Sequence, residues 1–597
     1  MTAIDRLRGK LPFMAIWFAV CAVLIIVSFD QIASGIGWGP DDQLRQVQIR
    51  DWLARQSWFD TTQYRIGAPD SQPMHWPRLI ELPLALIIFI LKPVIGPLAA
   101  ETAAMVVVPL VALGIAMWLV AKITEQLFDR QTALLSAALT ATAVSVIAQL
   151  RPMRIDHHGW QIVLALVVLW TMFWPDKRRA GQIMGLSLAL WLSISLEGLP
   201  LSVAFIVLLA FRWIVSLDEG VRLFWTLAGF LGGTIVLYLV NHGQVEMFAN
   251  YCDALSPVHI FSCLAGAAII LPGIYYGPKS VIARCAWLIT AGAFALVTIA
   301  ALEPQCMGSA FGQLDPLVRD YWLVNVREGM PIWAQPWREI ITLFGGSIIV
   351  GIGSLIYIQW LRPDAADKNK LFLLAYALLW AFLVSLLVQR AAAVAAAYAL
   401  PLVGWAVHRA FLGARGIKRP VSRILATVAV VFLILPGPLF LGLANAVRGE
   451  AENDSEPLVS SDGKPACDSS ESLAGLNALP QSNIIAPFDF GPEILVQTQH
   501  SVLATSHHRN DDAMADQIRI LTSKPEVALD LIEARQIRYI AICQEESELK
   551  LYASKHPDGL AAKLLEKGQP NWLQTVHLRD SALTIWKVVP KELRNGT

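Results

Sequence analysis

The feature that most constrains this chain is a series of long apolar runs, of which residues 13–29, 103–121 and 424–444 are examples. About 18 apolar residues in succession are enough to cross the hydrocarbon core of a bilayer as a helix. Of the 597 residues 55% are apolar and only 16% charged, too few charges to cover a soluble protein of this length. The chain therefore reads as a polytopic membrane protein, with the lipid bilayer as its first partner. Its formal net charge of +0 gives no bulk basicity that would point to nucleic acid. The first run follows Arg6, Arg8 and Lys10, and no small-residue cleavage site comes after it. That pattern describes a retained helix rather than a signal peptide. None of the seven cysteines falls in a CxxC pair or at a metal-type spacing from histidine, which argues against structural zinc.

Further runs cover 133–148, 158–174, 180–196, 199–215, 223–240, 258–275, 285–301, 340–358, 371–388 and 391–410. One short run, 79–91, is interrupted by Glu81 and Pro83, and whether it spans decides the sidedness of everything after it. Lysine and arginine concentrate in short cytoplasmic loops. If 79–91 does not span, one side collects Lys122, Arg130, Lys177, Arg178, Arg179, Arg212, Arg222, Lys279 and Arg284. The same side collects Arg362, Lys368, Lys370, Arg409, Arg415, Lys418, Arg419 and Arg423. This predicts thirteen spanning helices, a cytoplasmic N-terminus, and 79–91 as an interfacial or tucked-in helix. In a bacterium the chain would lie in the inner (cytoplasmic) membrane with its C-terminal domain in the periplasm.

Three outer segments follow from that topology: 30–102, 303–337 and 445–597. The expected division is a membrane domain, 1–447, carrying the first two as catalytic loops, and an outer soluble domain, 448–597. Strand-like runs at 484–486, 538–543 and 583–588 alternate with helical ones in the latter, which predicts a small α/β fold. In an oxidising compartment Cys467 and Cys543 can pair, as can Cys252 and Cys306; for the second pair, unpaired buried thiols are the alternative.

Ionisable residues abutting membrane helices are costly, which makes them functional candidates. Three acidic sites fall on the outer side: Asp41 and Asp42 in GWGPDDQLRQVQIRDWL, Asp156 in RPMRIDHHGW, and Glu328 in NVREGMPIW. Carboxylates on one face of a bilayer can bind a divalent cation together with a diphosphate, or polarise an acceptor. The bland alternatives are a helix N-cap for the doublet, a polar loop or transition-metal site for Asp156-His157-His158, and a surface charge for Glu328. Arg390 stands between two apolar runs with no acid close in sequence, and the alanines of QRAAAVAAAYALP leave room beside it. A guanidinium in that setting wants an anion, and a lipid phosphate is the natural one.

This order of motifs resembles the catalytic subunit of oligosaccharyltransferase in its single-subunit bacterial and archaeal forms, a family of the GT-C class. The resemblance covers most of the chain and implies thirteen membrane helices, a large first outer loop and an outer C-terminal domain. In that family an aspartate after the first helix is a metal ligand that contacts the acceptor, a position matched by Asp41 or Asp42. Asp156 matches the acidic motif of the second outer loop, and Glu328 with Pro331 matches the glutamate of the fifth. PMHWPRLIELPLAL is similar to the family's proline-rich turn into an apolar helix. Arg390, ahead of Pro401, resembles the arginine that holds the donor's diphosphate, with His157 and His158 assigned to the same donor side. The Trp-Trp-Asp motif that reads the glycosylation sequon is missing. The corresponding stretch is APFDFGPEIL, which keeps Asp489 and Gly491, followed by a polar cluster of His507, His508 and Arg509 on the acceptor side.

The implied activity is transfer of a sugar or oligosaccharide from a polyprenyl-(di)phosphate donor to an acceptor on the extracytoplasmic face. Mg2+ or Mn2+ would be held by Asp41, Asp42, Asp156 and Glu328. The acceptor is a glycan, a lipid or a protein. The alternatives are a metal-independent transferase using a polyprenyl-monophosphate sugar and, from another class, a transporter or flippase, whose repeats and discontinuous helices are not evident.

Overall fold

A computed structural model describes residues 3–243, 247–361, 366–434, 467, 469–566, 568–578 and 581–594. Each apolar run becomes helical within them. Seven helices among the described residues are long and apolar enough to cross a membrane, and the bent pair Trp337–Phe344 and Ser347–Trp360, angled at 54°, makes an eighth span. Leu11–Val27, His158–Met172 and Pro420–Val430 are shorter apolar helices. Lys177–Ile194 begins with three successive cations, which lower its mean hydropathy. The chain is thus a multi-pass membrane protein.

One run departs from expectation. Residues 133–148 form a helix Arg130–Leu139, a 3-10 turn Thr140–Thr142 and a short helix Val144–Ala148 rather than one span. Thr140 and Thr142 donate side-chain hydrogen bonds to the carbonyls of Ser136 and Leu139, the local competition with which threonine bends a helix. The doubtful run 79–91 becomes a 3-10 turn Arg78–Glu81 followed by Leu82–Ile95. Those 14 residues reach about 21 Å as a helix, less than the hydrocarbon thickness of about 30 Å.

The chain divides into two compact units. The first comprises Met1–Ser34, Leu82–Gly312 and Arg327–Glu450 and holds the apolar spans. Its helices approach closely where residues are small, as membrane packing favours. A Cβ on Gly185 would overlap the carbonyl of Thr226 on the neighbouring helix Gly220–Asn241. The alanines after Arg390 serve the same end: Ala392, Ala395, Ala396, Ala397 and Ala399 are fully buried. The room read for a headgroup among them is filled by packed protein. Cys252 and Cys306 form a disulfide.

The second unit is built from Gly35–Glu81, Gln313–Val326 and Ala451–Thr597. A five-stranded sheet of order β2-β1-β3-β5-β4 runs through it: β1 Asn483–Ile485, β2 Ser501–Val502, β3 Ile537–Ile542, β4 Leu573–Val576 and β5 Thr584–Val588. β1 is parallel to β2 and β3, whereas β5 is antiparallel to β3 and β4. Both faces are covered, so β3 alternates between two cores. Ile540 and Ile542 face Ile518, Ala528 and Leu549, while Tyr539 and Ala541 face Leu44, Val47 and Ile494. The helix Pro40–Leu53, from the first loop, is therefore part of this unit's core. Cys467 and Cys543 are disulfide-bonded. Below Pro40–Leu53 lies a buried charge triad: Arg45 and Arg78 each donate to Glu81, at 3.2 Å and 3.2 Å.

Candidate active site

In the membrane unit the candidate residues gather on one chain of charges. The loop 149–157 is pinned to the helix Pro97–Leu127 by a Met153 N–H bond to the Met105 carbonyl, and it delivers Asp156 to the start of His158–Met172. Asp156 is only 3% exposed. It accepts from the backbone N–H of His157 and from Nδ1 of His158, with Arg154 Nη2 at 3.7 Å. Burial raises its carboxyl, but His157 and His158 outweigh that and hold it well below the usual carboxylate range.

From there the chain continues to a residue that sequence reasoning missed. Glu197 Oε2 lies 3.4 Å from His158 Nε2 and 3.8 Å from His157 Nε2. Its other oxygen, Oε1, sits 2.7 Å from Arg390 Nη1. Arg390 therefore has an acid partner, one distant in sequence, as the alternative of pairing with an acid from another loop allows. The signal was present: Glu197 is the lone carboxylate between residues 180 and 215, and such a residue in an apolar stretch marks a function or a partner.

Glu328 is exposed in the turn Arg327–Gly329 and lies outside the group around Asp156. That turn nonetheless adjoins Arg390. The Gln389 N–H bonds the Met330 carbonyl, and a Cβ on Gly329 would stand 3.7 Å from Arg390 Nη2.

Asp156, His157 and His158 each offer a ligand atom within 4.8 Å of the others. One carboxylate oxygen and two imidazole nitrogens fit a transition-type cation such as Mn2+ or Zn2+ better than Mg2+, which prefers oxygen ligands. The residues present thus fit a divalent metal.

The second unit assembles a second cluster and separates the aspartate doublet. Asp42 is fully buried and accepts from the backbone N–H of Gly39 at 3.2 Å, closing the start of its own helix. Asp41 keeps 31% of its side chain exposed and meets His507 Nε2 at 3.1 Å. His507 is buried, with Nδ1 3.0 Å from Thr505 Oγ1 and the Trp76 ring edge-on at 5.1 Å. Arg45 lies over the same Trp76 ring, 4.8 Å from its centre. His508 stacks near His75, at 4.5 Å, and Trp322, at 6.3 Å. Arg509 is half-buried in the turn His508–Asn510, and Asp489 is exposed at the start of Phe490–Gln497. The turn PMHWP thus supplies His75 and Trp76 to the histidine pair, two contacts that reading the motif as a mere turn did not foresee.

Solved structures of Archaeoglobus fulgidus oligosaccharyltransferases, among them AglB, match this arrangement of elements. The complex with an inhibitory peptide and a dolichol-phosphate aligns over 95% of this chain and 73% of that one, with a TM-score of 0.60 and 14% identity. The chain carries the oligosaccharyltransferase fold. The structure tethered to an acceptor peptide containing the NVT sequon gives 0.60 and 14% over 97% and 74%. The complex with Zn and sulfate gives 0.56 and 14% over 96% and 74%. No protein-family model and no curated protein sequence matches the chain. The GT-C architecture expected from the sequence, a helical membrane domain with a C-terminal α/β domain, is the one found.

Proposed function

We propose that this chain is a membrane glycosyltransferase that moves a sugar or oligosaccharide from a polyprenyl-(di)phosphate to an acceptor. The observation that carries this reading is the continuous charge chain Asp156–His158–Glu197–Arg390 in the membrane unit. It couples a metal-type group to a guanidinium suited to phosphate, within a fold whose solved examples include complexes with a dolichol-phosphate, with an acceptor peptide, and with Zn and sulfate. Asp156, His157 and His158 would hold a divalent cation. When bound, it supplies positive charge to phosphate oxygens and Lewis acidity to the leaving group. Arg390 offers a planar fork to the phosphate and neutralises charge as the sugar departs. Asp41, partly open and oriented by His507, takes the acceptor side, where it polarises an N–H or O–H nucleophile. Glu328 is the remaining proposed acid.

The acceptor is a glycan, a lipid or a protein, and the lack of the tryptophan pair in APFDFGPEIL supports one other than a sequon asparagine. The distribution of basic loops supports a cytoplasmic N-terminus and an extracytoplasmic second unit, periplasmic in a bacterium. Mass spectrometry of glycolipids, envelope glycans and envelope proteins from a deletion strain tests the reading. A lost sugar modification with an accumulated lipid-linked donor is expected. An unchanged envelope and donor pool would contradict it.

A further inference from the structure

The ion pair between Arg390 and Glu197 offers a phosphate ligand a guanidinium that a carboxylate already occupies. We infer that Glu197 is a resident counter-anion on Arg390 which a phosphate must outcompete, and which thereby hastens release of the polyprenyl phosphate product. The inference rests on the reading of Arg390 as the phosphate-binding residue. The pair is not sealed from a third group: the side chain of Arg390 is 19% exposed and that of Glu197 33%.

Glu197 is held for this position by the local sequence. Its backbone N–H bonds Ser195 Oγ at 3.3 Å in the 3-10 turn Leu196–Gly198. Only glycine fits at 198, since a Cβ there would overlap the Trp191 indole. That indole donates to Gln161 Oε1 at 3.1 Å, and Gln161 Nε2 donates to Glu197 Oε2 at 3.0 Å. With His158 Nε2 also at 3.4 Å, the carboxylate keeps two partners when Arg390 turns to another anion. Two states are thus available to Arg390, one paired to Glu197 and one paired to phosphate. The like charge of Glu197 stays close in both, so a bound phosphate is opposed by a fixed carboxylate and is returned to the membrane sooner.

Binding and dissociation of two probes by the full-length protein in nanodiscs tests this. Undecaprenyl phosphate and inorganic diphosphate separate the lipid from the headgroup. Glu197→Gln should bind both probes roughly tenfold more tightly than wild type, mostly through slower dissociation. The gain should vanish when Glu197→Gln is added to Arg390→Ala. Glu197→Asp, which keeps the charge and draws it back, should show a smaller gain, and serves if the glutamine variant does not fold. Unchanged or weaker binding by a folded Glu197→Gln, with Arg390→Ala losing binding, would overturn the inference while the phosphate role of Arg390 stands. A gain with the lipid probe alone would also overturn it, because competition for the fork concerns the headgroup. Equal binding by wild type and Arg390→Ala would remove the reading on which it rests.

Discussion

The two clusters of candidate residues are built on different physics. In the membrane unit Asp156, His158, Glu197 and Arg390 alternate acid and base, each charge meeting its opposite at 3.4 Å or less. In the second unit the candidates His507 and His508 are packed by rings, Trp76, His75 and Trp322, with Asp41 at 3.1 Å from His507 and Arg45 over Trp76. Asp156 and His158 of the first cluster are buried, so a charge there needs a counter-charge. In the second, aromatic packing fixes the imidazoles in place. The membrane cluster is therefore suited to handling a phosphate, which is charge itself, and the second cluster to positioning a neutral nucleophile.

The comparison can be broken hardest at a point outside both clusters. Glu81 neutralises Arg45 and Arg78 in the second unit, and Arg45 lies over Trp76. Glu81→Ala should destabilise that unit by about 3–5 kcal/mol. Thermal unfolding of the purified chain should show a lowered transition while the membrane helices persist by circular dichroism. Next in size is Asp156→Asn, expected to cut transfer roughly 10²- to 10³-fold without lowering stability comparably. Chelation should inhibit the wild type, with Mn2+ or Zn2+ restoring it. Undiminished activity in chelator would favour the metal-independent alternative.

Substitution of Arg390 sharpens the contrast between the clusters. Arg390→Ala should weaken donor use roughly a hundredfold and Arg390→Lys roughly tenfold, since lysine keeps charge but loses the fork. Acceptor affinity, measured separately by titration, should hardly change in either. Loss of acceptor affinity would show that the two clusters do not divide the work in this way.

The smallest expected effect is a pH dependence confined to the second unit. Glu548 accepts from the Phe488 N–H at 2.9 Å and the Tyr552 hydroxyl at 3.1 Å. It keeps some exposure, yet the protein packed around it pushes its carboxyl up to about 8. An unfolded glutamate titrates near 4.3. Between those values the folded state holds a proton that the unfolded state has lost. The stabilisation is thus full below about pH 4.3 and is lost as pH rises through 8. The unit should be about 2 kcal/mol less stable at pH 7 than at pH 5, and Glu548→Gln should flatten that slope in unfolding titrations.

The membrane helices were legible because apolar runs report burial in lipid directly. The exception, 133–148, carries threonines whose hydroxyls bend a helix without changing its hydropathy. Three strands were also legible, while β2, two residues long, and β4, with its Gln574 and Thr575, were too short or too polar to stand out. Among site residues, Asp156 and its histidines were visible as a polar knot beside an apolar run. Glu197 was marked there only as a lone carboxylate in an apolar stretch, because its partner Arg390 lies 193 residues away. The separation of Asp41 from Asp42 likewise depends on a helix start and on His507, neither of which adjacent letters can express.

The central claim, that this chain uses a polyprenyl-linked donor, is tested most directly by incubating the purified protein in nanodiscs with an undecaprenyl-diphosphate-linked glycan and an envelope extract. Mass spectrometry then follows the lipid. The account predicts metal-dependent appearance of the sugar-free lipid diphosphate matched by glycosylated acceptor, both lost in Asp156→Asn. An intact donor with every acceptor fraction and metal supplied, or equal turnover by Asp156→Asn, would contradict it.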